Sequence, residues 1–175
     1  MTDNVPLLEW QRGPRESFCP GAEKGVYALF LRDGAVLNGI APGECGLLYI
    51  GRATRKEGLI GRCHFGNART RDHSPRKSLA VLLMDALSLM PILVPKPNSP
   101  DTWGLEQDSD KALTEWMYAH LDVAYEVRTD PTSREAELIR DFAPPLNLKG
   151  CTPTEKHRWI SSERTKVLKS LKYGG

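Results

Sequence analysis

Two tyrosines with glycine neighbours are the residues of this chain best suited to chemistry. Tyr27 ends a Gly-Val-Tyr triplet, and Tyr49 begins a Tyr-Ile-Gly triplet. Glu135 offers a carboxylate far downstream, and Asn147 follows it behind two prolines. A free phenol has a pKa near 10, so it can act as a base at neutral pH only beside a cation. Two phenols that lie at one site with a carboxylate and an arginine can activate a water molecule.

The two triplets lie in short apolar segments, which predict strands. The segments cover about residues 25–31 and 47–51, contain β-branched and aromatic residues, and are bounded by turn-forming residues. An Arg-Asp-Gly run and a Pro-Gly pair lie between them, which indicates an antiparallel hairpin. Such a hairpin places Tyr27 and Tyr49 on neighbouring strands, with an enlarged loop because the tyrosines are 22 positions apart.

The remaining sequence predicts one domain that mixes helices and strands. Hydrophobic periodicity and capping residues predict helices from about 57, over 76–90, over 110–121, over about 131–143 and over about 152–171. The expected caps are Asp110, either Asp130 or Thr132, and Thr154. Further strands are expected near 35–40 and over 123–127, whereas 91–109, with four prolines, predict a loop or a poorly paired hairpin.

Glu135 lies on an apolar helix face. Leu138, Ile139 and Phe142 follow it at spacings of three, four and seven, which place all four side chains on the side that contacts the sheet. A carboxylate there is costly unless it is paired, hydrogen-bonded or bound to a cation. The alternative is a carboxylate near the helix N-terminus that the macrodipole favours, but Glu137, which points away from this face, fits that alternative better.

Taken in order, these residues resemble the GIY-YIG nuclease family. The family pattern is Gly-Ile-Tyr, then Tyr-Ile-Gly, then an arginine on the following helix, one glutamate and one asparagine. In this chain Val26 replaces the first isoleucine, and the second motif matches as written. Arg62, Glu135 and Asn147 fit the later positions. The resemblance runs from about Gly25 to Asn147, which is most of the chain.

The resemblance implies an α/β fold of the α+β type. Its centre would be a small, mostly antiparallel sheet of three strands flanked by helices. Residues 1–24 would wrap the core, and 25–150 would form the nuclease domain, with inserted helices at about 76–121. Residues 151–175 would form a basic, helical tail.

The resemblance also implies a metal-dependent endonuclease that hydrolyses the phosphodiester bonds of DNA, with RNA as the alternative substrate. Glu135 would be the single protein ligand of Mg²⁺ or Mn²⁺, and Tyr27 would assist the attack of water. Tyr49 would hold the water or the phosphate, and Arg62 would offset negative charge at the scissile phosphate. His64 follows Arg62 by two positions and is a candidate proton carrier.

Asn147 would either orient the segment that carries the glutamate or contact the substrate. Arg52, Arg55 and Lys56 are the expected nucleic-acid contacts, and they begin a basic cluster that continues through Arg62, Arg69, Arg71, Arg76 and Lys77. The net charge of +2 also hides an asymmetry, since residues 149–173 carry +5 and the preceding residues −3. Clusters beside the tyrosines favour a phosphate backbone as partner, although any one of them alone is more typical of a solvated surface.

Composition excludes several other classes of protein. No run of about 18 apolar residues is present, so a membrane span is not expected. A basic N-terminal stretch followed by an apolar one is missing, which predicts a cytoplasmic protein. The four cysteines are widely spaced without a C-x-x-C pair, and we expect reduced thiols.

Two other functions stay open from the sequence. The first is a nucleic-acid-binding module of the same fold that no longer cleaves, and the full set of candidate catalytic residues opposes it. The second is an accessory protein of a mobile element that binds a protein partner, and the basic tail opposes it because that charge favours phosphate contacts.

Overall fold

A computed structural model describes residues 7–17, 20–37, 39–61, 65 and 69–174. Its contacts divide the chain into two compact units. Unit 1 comprises residues 1–35, 42–63 and 120–152, and unit 2 comprises residues 36–41, 64–119 and 153–175.

Unit 1 is built on a four-stranded antiparallel sheet. In their order across the sheet, the strands are β1 (Gly13–Pro14), β6 (Leu121–Val127), β2 (Gly25–Leu31) and β3 (Leu47–Ala53). Every residue of β2 is buried, which explains its continuous apolar sequence, since a strand covered on both faces needs no polar alternation.

The α+β class with an antiparallel central sheet is confirmed, but the sheet has four strands and not three. The additional strand β1 has only two residues and pairs Gly13 with Val123 and Pro14 with Asp122. Proline has no backbone N–H to donate to a sheet, and an edge strand tolerates it because the outer side of that strand forms no sheet hydrogen bonds. So short a strand carries no periodicity, which is why the sequence did not reveal it.

Helix α3 (Pro131–Phe142) covers one face of this sheet. Asp130 caps it as expected, because its carboxylate accepts hydrogen bonds from the backbone N–H groups of Thr132 and Ser133. The core between helix and sheet contains alternate residues of the strands together with residues from α3 and from the N-terminal segment: Leu7, Trp10, Val26, Ala28, Phe30, Leu47, Ile50, Ala124, Leu138 and Ile139.

Unit 2 contains α1 (Ser74–Leu83), the antiparallel pair β4 (Pro91–Val94) and β5 (Thr102–Leu105), most of α2 (Gln107–His120), and α4 (Glu155–Tyr173). Helix α4 packs on α1 and on the β4–β5 pair. A capping box begins α4, in which Thr154 accepts from the backbone N–H of His157 while the His157 ring bonds the Thr154 backbone N–H.

Several predicted boundaries in unit 2 are wrong. The helix expected over 76–90 ends at Leu83, and Pro91 begins a strand. Of the two alternatives for residues 91–109, the hairpin is the one that forms, and its strands pair over four residues each and so are not poorly paired. Helix α2 begins three residues before Asp110, so Asp110 is not its cap, and the carboxylate instead accepts hydrogen bonds from Thr70 and Arg76. Among the described residues near 35–40 there is no strand.

Among the described residues, no helix combines the length and the apolar character that crossing a bilayer requires.

Candidate active site around Gly51

The two motif tyrosines lie side by side on one face of the sheet in unit 1. The strand register pairs Tyr27 with Gly51 and Leu29 with Tyr49, and residues directly opposite one another share a face. The ring centroids are 6.2 Å apart, with an angle of 44° between the ring planes. Tyr27 is buried, with 5% of its surface exposed, whereas Tyr49 is half-buried. The hairpin therefore brings the two phenols together as the sequence predicted.

Gly51 is a glycine because both phenols cover it. A Cβ at this position would lie 2.4 Å from the hydroxyl oxygen of Tyr27 and 2.8 Å from Cε1 of Tyr49. Such distances are far below van der Waals contact, so any side chain would displace the Tyr27 hydroxyl. Its position inside β3 shows that this glycine permits a close approach and not a turn.

A third tyrosine, Tyr125, adjoins this pair, although no sequence motif contains it. Tyr125 on β6 is the register partner of Tyr27, and it packs against the cluster of Tyr27, Ala53 and Leu59. The alternation over 121–127 shows that Tyr125 shares a face with Val123 and Val127. Only the pairing of β6 with β2 shows that this is the face that carries Tyr27. No local sequence pattern could therefore have identified Tyr125 as its neighbour.

Glu135 is held by an arginine that directly follows Gly51. The Nη1 group of Arg52 donates to the Oε2 atom of Glu135 in a close ion pair. The Glu135 side chain is 15% exposed and that of Arg52 is 42% exposed. The sequence indicated that a carboxylate on this helix face needs a partner, and the guanidinium of Arg52 supplies one.

The tyrosine pair and the Arg52–Glu135 pair thus adjoin consecutive residues of β3 but lie on opposite faces of the sheet. Arg52 pairs with Val26, whose side chain is in the core beneath α3, so Arg52 leaves the strand on the face opposite the tyrosines. Gly51 separates the two groups, and β3 is the last strand of the sheet. The arrangement places phenols on one side of a strand end and a paired carboxylate on the other.

Asn147 holds the same strand from its outer edge. Its Nδ2 group donates to the carbonyl oxygen of Ile50 and its Oδ1 atom accepts from the N–H of Ile50, both at 2.8 Å. The amide thus takes the place of a further strand, and Asn147 is 6% exposed. Each of these hydrogen bonds contributes about 1 kcal/mol. In this structure Asn147 is a positioning residue for the Tyr-Ile-Gly strand.

The segment after β3 carries two of the predicted nucleic-acid contacts. Arg55 and Lys56 are exposed there. The expected helix from about residue 57 is a run of turns as far as Gly61, and Gly58 has a φ of +55°. A Cβ on Gly58 would lie 2.1 Å from the carbonyl oxygen of Ala22, so this turn also requires glycine.

Arg62 and His64 lie outside the described residues, and so does Cys63. Their predicted roles therefore stay predictions.

The carboxylate of Glu135 is a suitable ligand for Mg²⁺, and one protein carboxylate is enough to hold this ion. Carboxylate oxygen is a preferred ligand of Mg²⁺, which is usually held by one or two carboxylates and keeps several waters. Within the described ranges, no group of three or more His, Cys, Asp or Glu could surround a metal. An ion at Glu135 would take its other ligands from water and from substrate oxygens. Mg²⁺ accepts such a coordination, whereas a structural zinc ion requires four protein ligands.

Two residues of the predicted basic cluster belong to the interior of unit 2. Arg76 is fully buried, and its Nη2 group donates to the carbonyl oxygen and to Oδ1 of Asp110, at 2.9 and 3.1 Å. Lys77 is 9% exposed, donates to the hydroxyl of Thr102, and lies 5.7 Å from the Trp103 ring centroid. The interpretation of these two side chains as a surface for phosphate is therefore wrong.

Comparison with models of protein families matches residues 25–169 to the family described as "GIY-YIG catalytic domain". Comparisons with curated proteins and with solved structures found no match.

Proposed function

The chain belongs to the GIY-YIG catalytic domain family, whose members are typically endonucleases, and from this membership we propose that it is a metal-dependent endonuclease. The substrate would be nucleic acid, most readily DNA. One observation carries the proposal: both motif phenols converge over Gly51, and the next residue, Arg52, holds the carboxylate of Glu135. A phosphodiesterase needs these groups, because water must lose a proton while the phosphate gains negative charge.

Tyr27 is the residue that would accept or relay the proton of the attacking water. Its ring is confined by β3 beneath it and by Tyr49 and Tyr125 beside it, so its hydroxyl group is held in one place. Preorganisation of this kind lowers the entropic cost of reaching the transition state. Tyr49 is half-buried and would hold the water or a phosphate oxygen by hydrogen bonding.

Glu135 would hold the divalent ion. When bound, the ion polarises the phosphoryl oxygens as a Lewis acid. Arg52 contacts Oε2 of Glu135 in the structure, and a phosphodiester offers the same planar guanidinium two non-bridging oxygens for a bidentate contact. Arg52 can therefore transfer from the carboxylate to the substrate. This exchange would release the Oε2 atom of Glu135 for the cation when the substrate is in place.

The exposed cations Arg52, Arg55 and Lys56 lie within five consecutive residues at the end of β3. We assign to them the backbone contacts of the substrate. Such contacts should make binding steeply dependent on salt.

Cleavage of supercoiled plasmid DNA tests the proposal. With Mg²⁺ or Mn²⁺, the wild-type protein should nick the plasmid, and Glu135→Gln should lower the rate by at least about a hundredfold, the scale of losing one charge-stabilising group. Arg140→Gln is the matched control, since Arg140 is an exposed charged residue of the same helix, with 69% of its side chain accessible.

Equal cleavage by the wild-type protein and by Glu135→Gln would remove Glu135 from the site and would indicate a contaminating nuclease. Salt-sensitive DNA binding without nicking under any divalent ion would instead identify a binding module of this fold.

A further inference from the structure

Helix α4 presents a stripe of aromatic and basic residues on its outward face. Trp159, Ser162, Lys166, Lys169 and Tyr173 follow one another at spacings of three or four, and all five are exposed. This spacing places them on one side of the helix. We call this set the α4 stripe.

The opposite face of α4 already has its partners within unit 2. His157 and Ile160 are buried, and the helix packs on α1, β4 and β5. Arg164 donates to the hydroxyl groups of Ser74 and Ser78, at 3.2 and 3.4 Å. Because the apolar face is covered by protein, α4 does not have the free apolar face with which an amphipathic helix binds a membrane surface.

The aromatic residues of the stripe are unusual for a solvated helix face. Trp159 is 41% exposed and Tyr173 is 81% exposed, although the face around them is polar. One edge of the Trp159 ring lies beside Gly39, and the accessible remainder is open to a partner. Solvation alone would explain the lysine and serine residues of this face, but it would not explain the two large aromatic rings.

The charge of α4 indicates what kind of partner fits. The helix contains six Lys or Arg and two Glu, which gives a net charge of +4. Lys166 and Lys169 lie between the two rings along the stripe. Lys166 bonds the carboxylate of Glu163 at 2.7 Å, yet 69% of its side chain stays accessible to a second anion. A polyanion with flat, stackable groups matches both features.

We propose that the α4 stripe binds single-stranded nucleic acid, with bases stacked on Trp159 and Tyr173 and phosphates held by Lys166 and Lys169. The choice of nucleic acid as the polyanion rests on the function proposed above. The two rings are 14 residues apart, or about 21 Å along the helix, which leaves room for several nucleotides. Aromatic side chains and a basic track together are the usual means of binding single strands without sequence preference.

Binding of a 12-nucleotide oligothymidine in EDTA tests the stripe without cleavage. Fluorescence anisotropy would report the affinity, and quenching would report stacking on Trp159, because Trp10 and Trp103 are buried and Trp116 is half-buried. Trp159→Ala and Tyr173→Ala should each weaken binding by about tenfold or more, the effect of losing one stacked base. Both substitutions should affect a blunt duplex much less.

Lys166→Gln combined with Lys169→Gln should lower the slope of log affinity against log salt by about 1.4, since two phosphate contacts are lost. Lys96→Gln combined with Lys111→Gln is the matched control, because both are exposed lysines of unit 2 outside the stripe. Thermal melts by circular dichroism would confirm that each variant is folded. Glu135→Gln should bind the oligonucleotide as the wild type does.

Unchanged affinity in the folded stripe variants would overturn the proposal. Equal losses for the single strand and the duplex would overturn the stacking assignment. Loss of self-association in place of oligonucleotide binding would show that the stripe contacts a second protein. If the wild-type protein binds through the stripe but never nicks DNA, the proposed nuclease function fails and this inference stands.

Discussion

In unit 1 the two motif tyrosines cover one glycine near the end of the last strand of the sheet, whereas in unit 2 two cations lie inside the core. Arg52 is 42% exposed and bonded to Glu135, so another anion can reach it. Arg76 is fully buried, and the carboxylate that it contacts, Asp110, is 16% exposed, so a second anion cannot reach the guanidinium. The two carboxylates are almost equally covered, with 15% of Glu135 and 16% of Asp110 exposed, so a basic residue is available for binding only when its own side chain reaches the surface. Position in the sequence does not reveal this.

The largest expected effect concerns the buried pair in unit 2. Arg76→Met should lower the free energy of unfolding by about 3–5 kcal/mol, because the Asp110 carboxylate keeps its hydrogen bonds from Thr70 but loses the guanidinium that offsets its charge. Urea unfolding would measure the change. Adding Asp110→Asn should restore part of the loss, since no charge is then left without compensation. A change below about 1 kcal/mol in the single variant would show that the pair does not stabilise unit 2.

The next prediction compares two glycines of unit 1, one at which a side chain would clash with Tyr27 and one at which a side chain would only strain the backbone. Gly51→Ala should cost about 1–3 kcal/mol of stability and lower cleavage by at least tenfold, because the new methyl group displaces the Tyr27 hydroxyl. Gly34→Ala is the control. Gly34 has a φ of +81° with nothing within 4 Å of a Cβ, so it should lose about 1 kcal/mol with unchanged cleavage. Equal cleavage rates in the two variants would contradict the close approach over Gly51.

The smallest effect is a pH dependence from Lys77. Burial, followed by the charges of Arg164 and Lys96, lowers the pKa of Lys77 from 10.5 to about 8, while Asp72 opposes the shift. Between these values the unfolded chain binds more protons than the folded one, so stability rises as the pH increases from about 8 to 10.5.

Urea unfolding at pH 7.5 and at pH 9.5 would measure this rise. In Lys77→Met the methionine keeps the packing against Trp103 but has no titratable group. Between pH 7.5 and pH 9.5 the free energy of unfolding of this variant should therefore rise by about 1 kcal/mol less than that of the wild type. An identical pH dependence in both proteins would assign the effect to other groups.

The parts of the fold that follow from local patterns were predictable. The Gly-Val-Tyr and Tyr-Ile-Gly segments form paired strands, and Asp130 and Thr154 cap their helices. These features depend on residues close together in the sequence. The need of Glu135 for a partner was also predictable, because its spacing from Leu138 and Ile139 places it on a buried face.

The identity of each partner was not predictable, because it depends on residues far apart in the sequence. Arg52 meets Glu135 across 83 positions, and Asn147 meets Ile50 across 97. Asp110 is a plausible helix cap until Arg76, 34 positions away, binds it from another element. Tyr125 joins the other tyrosines only through the register of β6 on β2.

The most direct test of the account is a paired measurement on Tyr27→Phe: single-turnover cleavage of plasmid DNA and the free energy of unfolding. The substitution removes one hydroxyl group and keeps the ring. Cleavage should fall by about a hundredfold or more, on the scale of losing a general base, while stability should change by less than about 1 kcal/mol. Wild-type cleavage by folded Tyr27→Phe would contradict the claim that the phenol over Gly51 takes part in the reaction.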